Sequence, residues 1–182
     1  LLIAALLTYF PRHIPRWSTT IILIALVFLF FYSSYKTSIA MARKGYPPDY
    51  LRVIGLWLKD HSNPGDIVLN LHWPHFSPLF LWNQKNYYVS GLDPIFQYAY
   101  NPSLYWKFHY LAIDEAAEKT CGATACTERM LEDTYEVLTR DFHAQYIVLA
   151  KLENPRVYAF LERDARFEKA FETRTEAVFR VR

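Results

Sequence analysis

"DIVLNL", residues 66–71, is a short apolar, β-branched run between the turn composition of "SNPGD" and the aromatic "HWPHFSP". Such a run reads as a strand covered on both faces. "QYIVLA", residues 145–150, is a second run of the same kind. Between and around these two strands the period changes. In "YLRVIGLWLKDH", residues 50–61, Leu51, Ile54 and Leu58, with Val53 and Trp57, fall on a helical stripe. Pro47 and Pro48 end whatever precedes it. A short helical piece is expected near "SPLFLW", then a strand at "NYYVS". Helix follows from Pro94, interrupted at Asn101–Pro102, through "PSLYWKFHYLAIDEAAEK". "ERMLEDTYEVLTRDF" reads as an amphipathic helix on Met130, Leu131, Tyr135 and Leu138, and "PRVYAFLERD" as a short one. "RFEKAFET" and "AVFRVR" read as an antiparallel pair turning near Arg174. Alternating strands and helices predict a Rossmann-like three-layer α/β sandwich, mostly parallel, with an antiparallel hairpin at the C-terminal edge. Residues 46–182 are long enough for one such domain.

A different solvent is written into the first part of the chain. From Trp17 to Tyr35 no residue is charged. Those 19 positions approach the roughly 20 that a helix needs to cross about 30 Å of hydrocarbon. Residues 18–35 are therefore expected to span a membrane, with Trp17 at one end and Phe31, Tyr32 and Tyr35 at the other, at depths that suit amphipathic rings. The competing reading is a buried core helix, which seldom runs this far without a charge. "LLIAALLTYF", residues 1–10, reads as the last half of another spanning helix, so the chain reads as a fragment, with residues 36–45 as linker. Arg12 and Arg16 lie between two apolar runs, unlike the basic start of a secretory leader. Two arginines on one side and Lys36, Arg43 and Lys44 on the other leave the orientation undecided by charge.

Twenty basic and 18 acidic residues give a net charge of +2, with no basic tract to suggest a nucleic-acid partner. "DIVLNL" runs into "HWPHFSP" without glycine, and neither G-x-G-x-x-G nor a P-loop occurs, which excludes the usual dinucleotide and P-loop sites. No G-x-S-x-G elbow is present either. His72 and His75 flank Trp73–Pro74 without a further ligand at finger-like spacing, so they read as structural imidazoles, as do His109 and His143; no metal site is expected. The acidic clusters "IDEAAEK" and "LEDTYE" are expected on solvated helix faces. No catalytic residue is assigned.

"NYYVSGLDPIF", residues 86–96, admits two readings. Structurally, Gly91 permits a tight turn and Asp93 caps a helix whose first position is Pro94. Functionally, the aromatic excess around it forms a sugar-stacking platform or a membrane-facing surface. Ligands gather at the carboxyl ends of parallel strands, and "LNLHW" and "YYVSGLD" both reach such ends. The substrate-binding candidates are Trp73, Tyr87, Tyr88, Asp93, Tyr105 and Trp106. Cys121 and Cys126, in "CGATAC", are the only cysteines. Four intervening small residues let the loop close to disulfide distance in an oxidising compartment; a zinc half-site or two inert thiols are the alternatives.

The stretch "LNLHWPHFSPLFLWNQKNYYVSGLDPIFQYAYNPSLYWKF", residues 69–108, resembles bacterial polytopic membrane glycosyltransferases of the GT-C class, related to the dolichyl-phosphate-mannose protein mannosyltransferases. The resemblance implies an integral protein of the bacterial plasma membrane, with this α/β domain extracytoplasmic and packed beside further spanning helices of the same protein. It implies a polyprenyl-phosphate sugar donor and a glycan or protein acceptor. It carries no cofactor into these residues and leaves open a divalent metal in the whole protein. The family's catalytic acid lies in its first extracytoplasmic loop. Residues 11–17 hold no Asp or Glu, so no catalytic residue transfers. The resemblance thus implies an accessory, acceptor-side domain; a membrane-tethered, non-enzymatic binding or assembly module is the alternative.

Overall fold

The computed structural model describes residues 16–47 and 49–182, and the half-helix expected over residues 1–10 lies outside them. The chain divides into two compact units, Leu1–Pro47 and Pro48–Arg182.

Among the described residues of the first unit, a helix, α1, runs Arg16–Lys44. At 1.5 Å per residue its 29 residues extend about 44 Å. Its segment Thr20–Ile39 is long and apolar enough to cross a membrane, and none of that segment is buried. Polar groups inside the run are satisfied locally: Thr37 donates to the Ser33 carbonyl at 2.9 Å, and the Lys36 ammonium lies 5.0 Å over the Tyr32 ring. The residues expected as linker from 36 on continue this helix to Lys44. Nothing between Lys36 and Lys44 breaks a helix, and the first glycine is Gly45.

The second unit is a mixed α/β domain. Its five-stranded sheet comprises β1 (Ile67–Asn70), β2 (Tyr87–Tyr88), β5 (Tyr146–Ala150), β6 (Phe167–Glu172) and β7 (Glu176–Val181), in the order β2-β1-β5-β7-β6. β2, β1 and β5 are parallel, with Val68 opposite both Tyr88 and Tyr146. β7 is antiparallel to β5, and β6 to β7, so the C-terminal hairpin closes one edge, with an irregularity between Lys169 and Phe171. Every residue of β5 is buried. Alternation along the strands sorts the core into two clusters on opposite faces. Val68, Tyr146, Val148 and Val178 pack with Leu51, Ile54 and Leu58 around α2 (Arg52–His61) and with Leu79 of α3 (Phe76–Trp82). Leu69, Ile147, Leu149, Ala177 and Phe179 pack with Phe108 and Leu111 of α5 (Pro102–Ala112) and with Val157, Phe160 and Leu161 of α7 (Pro155–Arg163). Helices thus cover both faces. Val53, counted on the apolar stripe of α2, is exposed instead.

Three expectations fail here, each for a tertiary reason. The amphipathic helix expected over "ERMLEDTYEVLTRDF" is broken up. A 3-10 turn (Glu128–Met130) leads into β4 (Glu132–Asp133), which pairs antiparallel with β3 (Lys119–Thr120), and only then come the helical turn α6 (Thr134–Glu136) and a π turn (Val137–Asp141). The Asp133 carboxylate accepts from the Tyr135 and Glu136 amides, fixing the helix start there, and Met130 and Leu131 are left exposed. The acidic residues of "IDEAAEK" are not on a helix face, because α5 stops at Ala112. Its final Leu111 and Ala112 carbonyls accept from the buried Asn154 side chain, and Asp114 adopts a left-handed conformation (φ 60°) to cap α7 through the Arg156 and Val157 amides. Gly91 has no left-handed φ; what a side chain would meet there is the Phe76 ring, 3.4 Å away. The left-handed glycine is Gly65, in the turn before β1.

Candidate binding cleft

The parallel strands β2, β1 and β5 end side by side, so their exits converge on one rim of the sheet. Asn70, fully buried at the end of β1, ties two exits together: its amide donates to the Ser90 and His72 carbonyls at 3.0 and 3.1 Å. A second buried asparagine, Asn154, joins the third exit. Its amide holds the end of α5, and its carbonyl oxygen lies 2.8 Å from His72 Nε2. Glu153 reaches the same His72 nitrogen at 2.9 Å. Behind His72, at 5.1 Å between ring centres, His75 is buried and bonded through Nε2 to the Tyr50 hydroxyl at 3.0 Å. Burial, and then the neighbouring His72, push the His75 imidazole down to about 4. His75 is therefore neutral at pH 7, a fixed strut beneath the rim.

Above this frame lies a cleft of about 680 Å³. Its walls are the β1 exit (Leu71, His72, Trp73), the start of α4 (Asp93, Pro94, Ile95; the helix runs Pro94–Tyr100), the inner side of α5 and Glu153. Of the residues singled out from sequence, Trp73, Asp93 and Tyr105 meet here. Asp93 caps α4 by accepting from the Ile95 amide at 3.0 Å, with Pro94 at the first helical position. Asp93 also borders a second cavity of about 470 Å³, lined by Ser90, Gly91, Leu92, Phe96, Gln97 and Tyr100.

Tyr87, Tyr88 and Trp106 line neither cavity. Tyr87 is exposed on the edge strand. Tyr88 is half-buried against Phe76 and donates to the Asn83 carbonyl at 2.9 Å; burial raises its phenol well above the usual value. Trp106 packs edge-on against Tyr105 and Tyr98 and so supports the cleft wall from behind. Glu153, His72 and His109 complete the polar lining. The two histidines read as structural from sequence. No periodic signal marks Glu153, which enters through the pairing of β1 with β5, whose partners such as Val68 and Tyr146 lie 78 residues apart in sequence.

Beyond α5, the "CGATAC" loop is closed by a Cys121–Cys126 disulfide with Cα atoms 6.2 Å apart. The loop is docked on α5: the Tyr110 hydroxyl donates to the Ala123 and Thr124 carbonyls at 3.0 and 2.7 Å, and the Thr120 hydroxyl to the Lys107 carbonyl at 3.1 Å.

The cleft lining combines two aromatic side chains, Trp73 and Tyr105, with two carboxylates and two imidazoles, and the Tyr105 ring is itself stacked on His109. Aromatic side chains beside carboxylates and imidazoles make a lining that suits a ligand with apolar faces and polar edges. Among the described residues no group of three or more His, Cys, Asp or Glu side chains is arranged to hold a metal ion. No protein family matches the chain, and neither a curated protein nor a solved structure matches it.

Proposed function

We propose that this chain belongs to an integral membrane glycosyltransferase of the GT-C kind, with α1 as a spanning helix and a Rossmann-like domain, residues 48–182, on the extracytoplasmic side. In this reading the domain holds a glycan or glycosylated acceptor in the cleft and supplies no catalytic group. The donor is a polyprenyl-phosphate sugar bound by other helices of the same protein. The observation that carries the reading is the meeting of Trp73, Tyr105 and Asp93 at the carboxyl ends of parallel strands, where α/β sheets bind ligands. The disulfide supports an oxidising compartment.

The alternative is a membrane-tethered binding module without an enzyme around it. Both readings leave the domain without a general base, since Asp93 is engaged as a helix cap and Glu153 with His72. The test is binding of the full chain, in lipid nanodiscs, to a panel of immobilised hexose and pentose oligosaccharides. Saturable binding weakened at least tenfold by Trp73→Ala and by Tyr105→Ala is expected. No binding to any member, or binding untouched by both substitutions, overturns the glycan reading. The upstream reading frame separates enzyme from module: further spanning helices and an acidic first loop mark the enzyme.

A further inference from the structure

We infer that α4 lies on the lipid surface as an interfacial helix, so that the cleft opens at headgroup depth. The inference rests on reading Thr20–Ile39 as a membrane span.

Three observations carry it. First, no residue of α4 is buried, although the segment is strongly apolar: Leu92, Ile95, Phe96 and Tyr100 are 69, 60, 61 and 87% exposed. A soluble surface seldom leaves so many large apolar side chains together in water. Second, the chemistry of the segment is that of the bilayer interface. Asp93 is the only charged side chain between Lys85 and Lys107, and the rings on and beside α4 include Phe96, Tyr98, Tyr100 and Trp106. Phenol and indole rings favour the headgroup boundary, where one end stays apolar and the other wet.

Third, the domain is entered at the same end of its sheet. Tyr50, just ahead of α2, bonds His75, which packs against His72 at the β1 exit. The cleft wall formed by Asp93, Pro94 and Ile95 is the start of α4 itself. Entry, cleft and α4 thus share one rim.

The experiment uses the full chain in phosphatidylcholine–phosphatidylglycerol vesicles. Both native cysteines are held in the bridge, so one added cysteine takes a bimane label selectively. Labels go at Phe96→Cys on α4, at Val27→Cys within the span, and at Glu168→Cys on β6, which pairs with Arg180 beside the start of β5, at the opposite end of the sheet. At position 96 we expect at least twofold quenching by lipid carrying a doxyl group at acyl carbon 5, and less by carbon 12. Position 168 should be unquenched, and position 27 quenched most by carbon 12. Quenching at 27 with none at 96 overturns the inference and leaves the span standing. No quenching at either position overturns both. A blue-shifted but unquenched label at 96 assigns α4 to a protein partner and equally overturns the inference.

Discussion

Lys107 Nζ donates to Asp141 Oδ2 at 2.7 Å and to Glu132 at 2.6 Å, joining the middle of α5 to both ends of the segment from β4 to the π turn. Arg140 lies against both carboxylates from the solvent side. The Lys107 side chain is only 8% exposed, so the ammonium depends on these partners. Burial alone would lower its pKa; the hydrogen bonds to Asp141 and Glu132 raise it above the usual lysine value.

Replacing Asp141 by Asn should therefore cost about 1–2 kcal/mol, below the penalty for leaving a buried charge unpaired, because Glu132 still holds Lys107. The Arg140 hydrogen bond, followed by that of Lys107 against the opposing effect of burial, holds the Asp141 carboxyl at about 2. A depressed carboxyl contributes stability above its unfolded value, and that contribution is lost as pH falls towards 2. Denaturant titrations of the wild type should show stability dropping between about pH 4 and 2, and a shallower drop in Asp141→Asn. Parallel curves for the two proteins would refute the assignment.

His75 should add a second, separate pH dependence. Its imidazole sits at about 4 when folded against an ordinary 6.5. The unfolded chain thus binds a proton between those values that the folded domain does not, and stability falls as pH drops through that window. The loss is of the order of 3 kcal/mol at most. His75→Gln, which keeps a hydrogen-bonding group towards Tyr50, should flatten this window while leaving the one below pH 4 intact. Resolved imidazole titration by NMR near 6.5 for His75 would contradict the prediction.

Gly122 should resist enlargement because the disulfide loop lies flat on α5. A Cβ there would collide with Ser103 Oγ and stand 3.1 Å from Ser103 Cβ and 3.2 Å from Lys107 Cε. Gly122→Ala is expected to destabilise the domain by about 2 kcal/mol through overpacking. Measured in a Ser103→Ala background the cost should shrink by about 1 kcal/mol, since the worst contact is then gone. An unchanged cost would place the strain elsewhere.

Opening the Cys121–Cys126 bridge should lower stability by about 2 kcal/mol, the loop-closure entropy of so short a ring. In thermal unfolding the Cys121→Ser/Cys126→Ser double variant should melt roughly 5–10 °C below the wild type. Peptide mass spectrometry without reductant should find the two cysteines linked in protein taken from cells. Two thiols alkylated on intact cells by an impermeant reagent would remove the bridge in its native setting.

The strands and the outer rules of the fold were legible locally. "DIVLNL" and "QYIVLA" are predominantly apolar, as a strand covered on both faces must be, with the buried Asn70 the polar exception in β1, and they became β1 and β5 of the sheet; amide exchange should be slowest there. Asp93–Pro94 announced the start of α4, and the uncharged run after Trp17 announced a long apolar helix, because capping and hydropathy act within a few residues of chain. Helix ends set by distant partners were not legible. Asn154 stops α5 from 42 residues away, and Lys107, with Arg166 bonded to Asp133, holds "LED" out of the helix that its periodicity suggests. The cleft divides the same way. Trp73, Asp93 and Tyr105 could be picked out by type and by their nearness to strand ends. Tyr87 and Trp106 looked equivalent and were turned elsewhere, and Glu153 carried no mark. Residue type is written locally, whereas which side chains share a cavity depends on strand order and register, and those are fixed only when both faces of the sheet are buried at once.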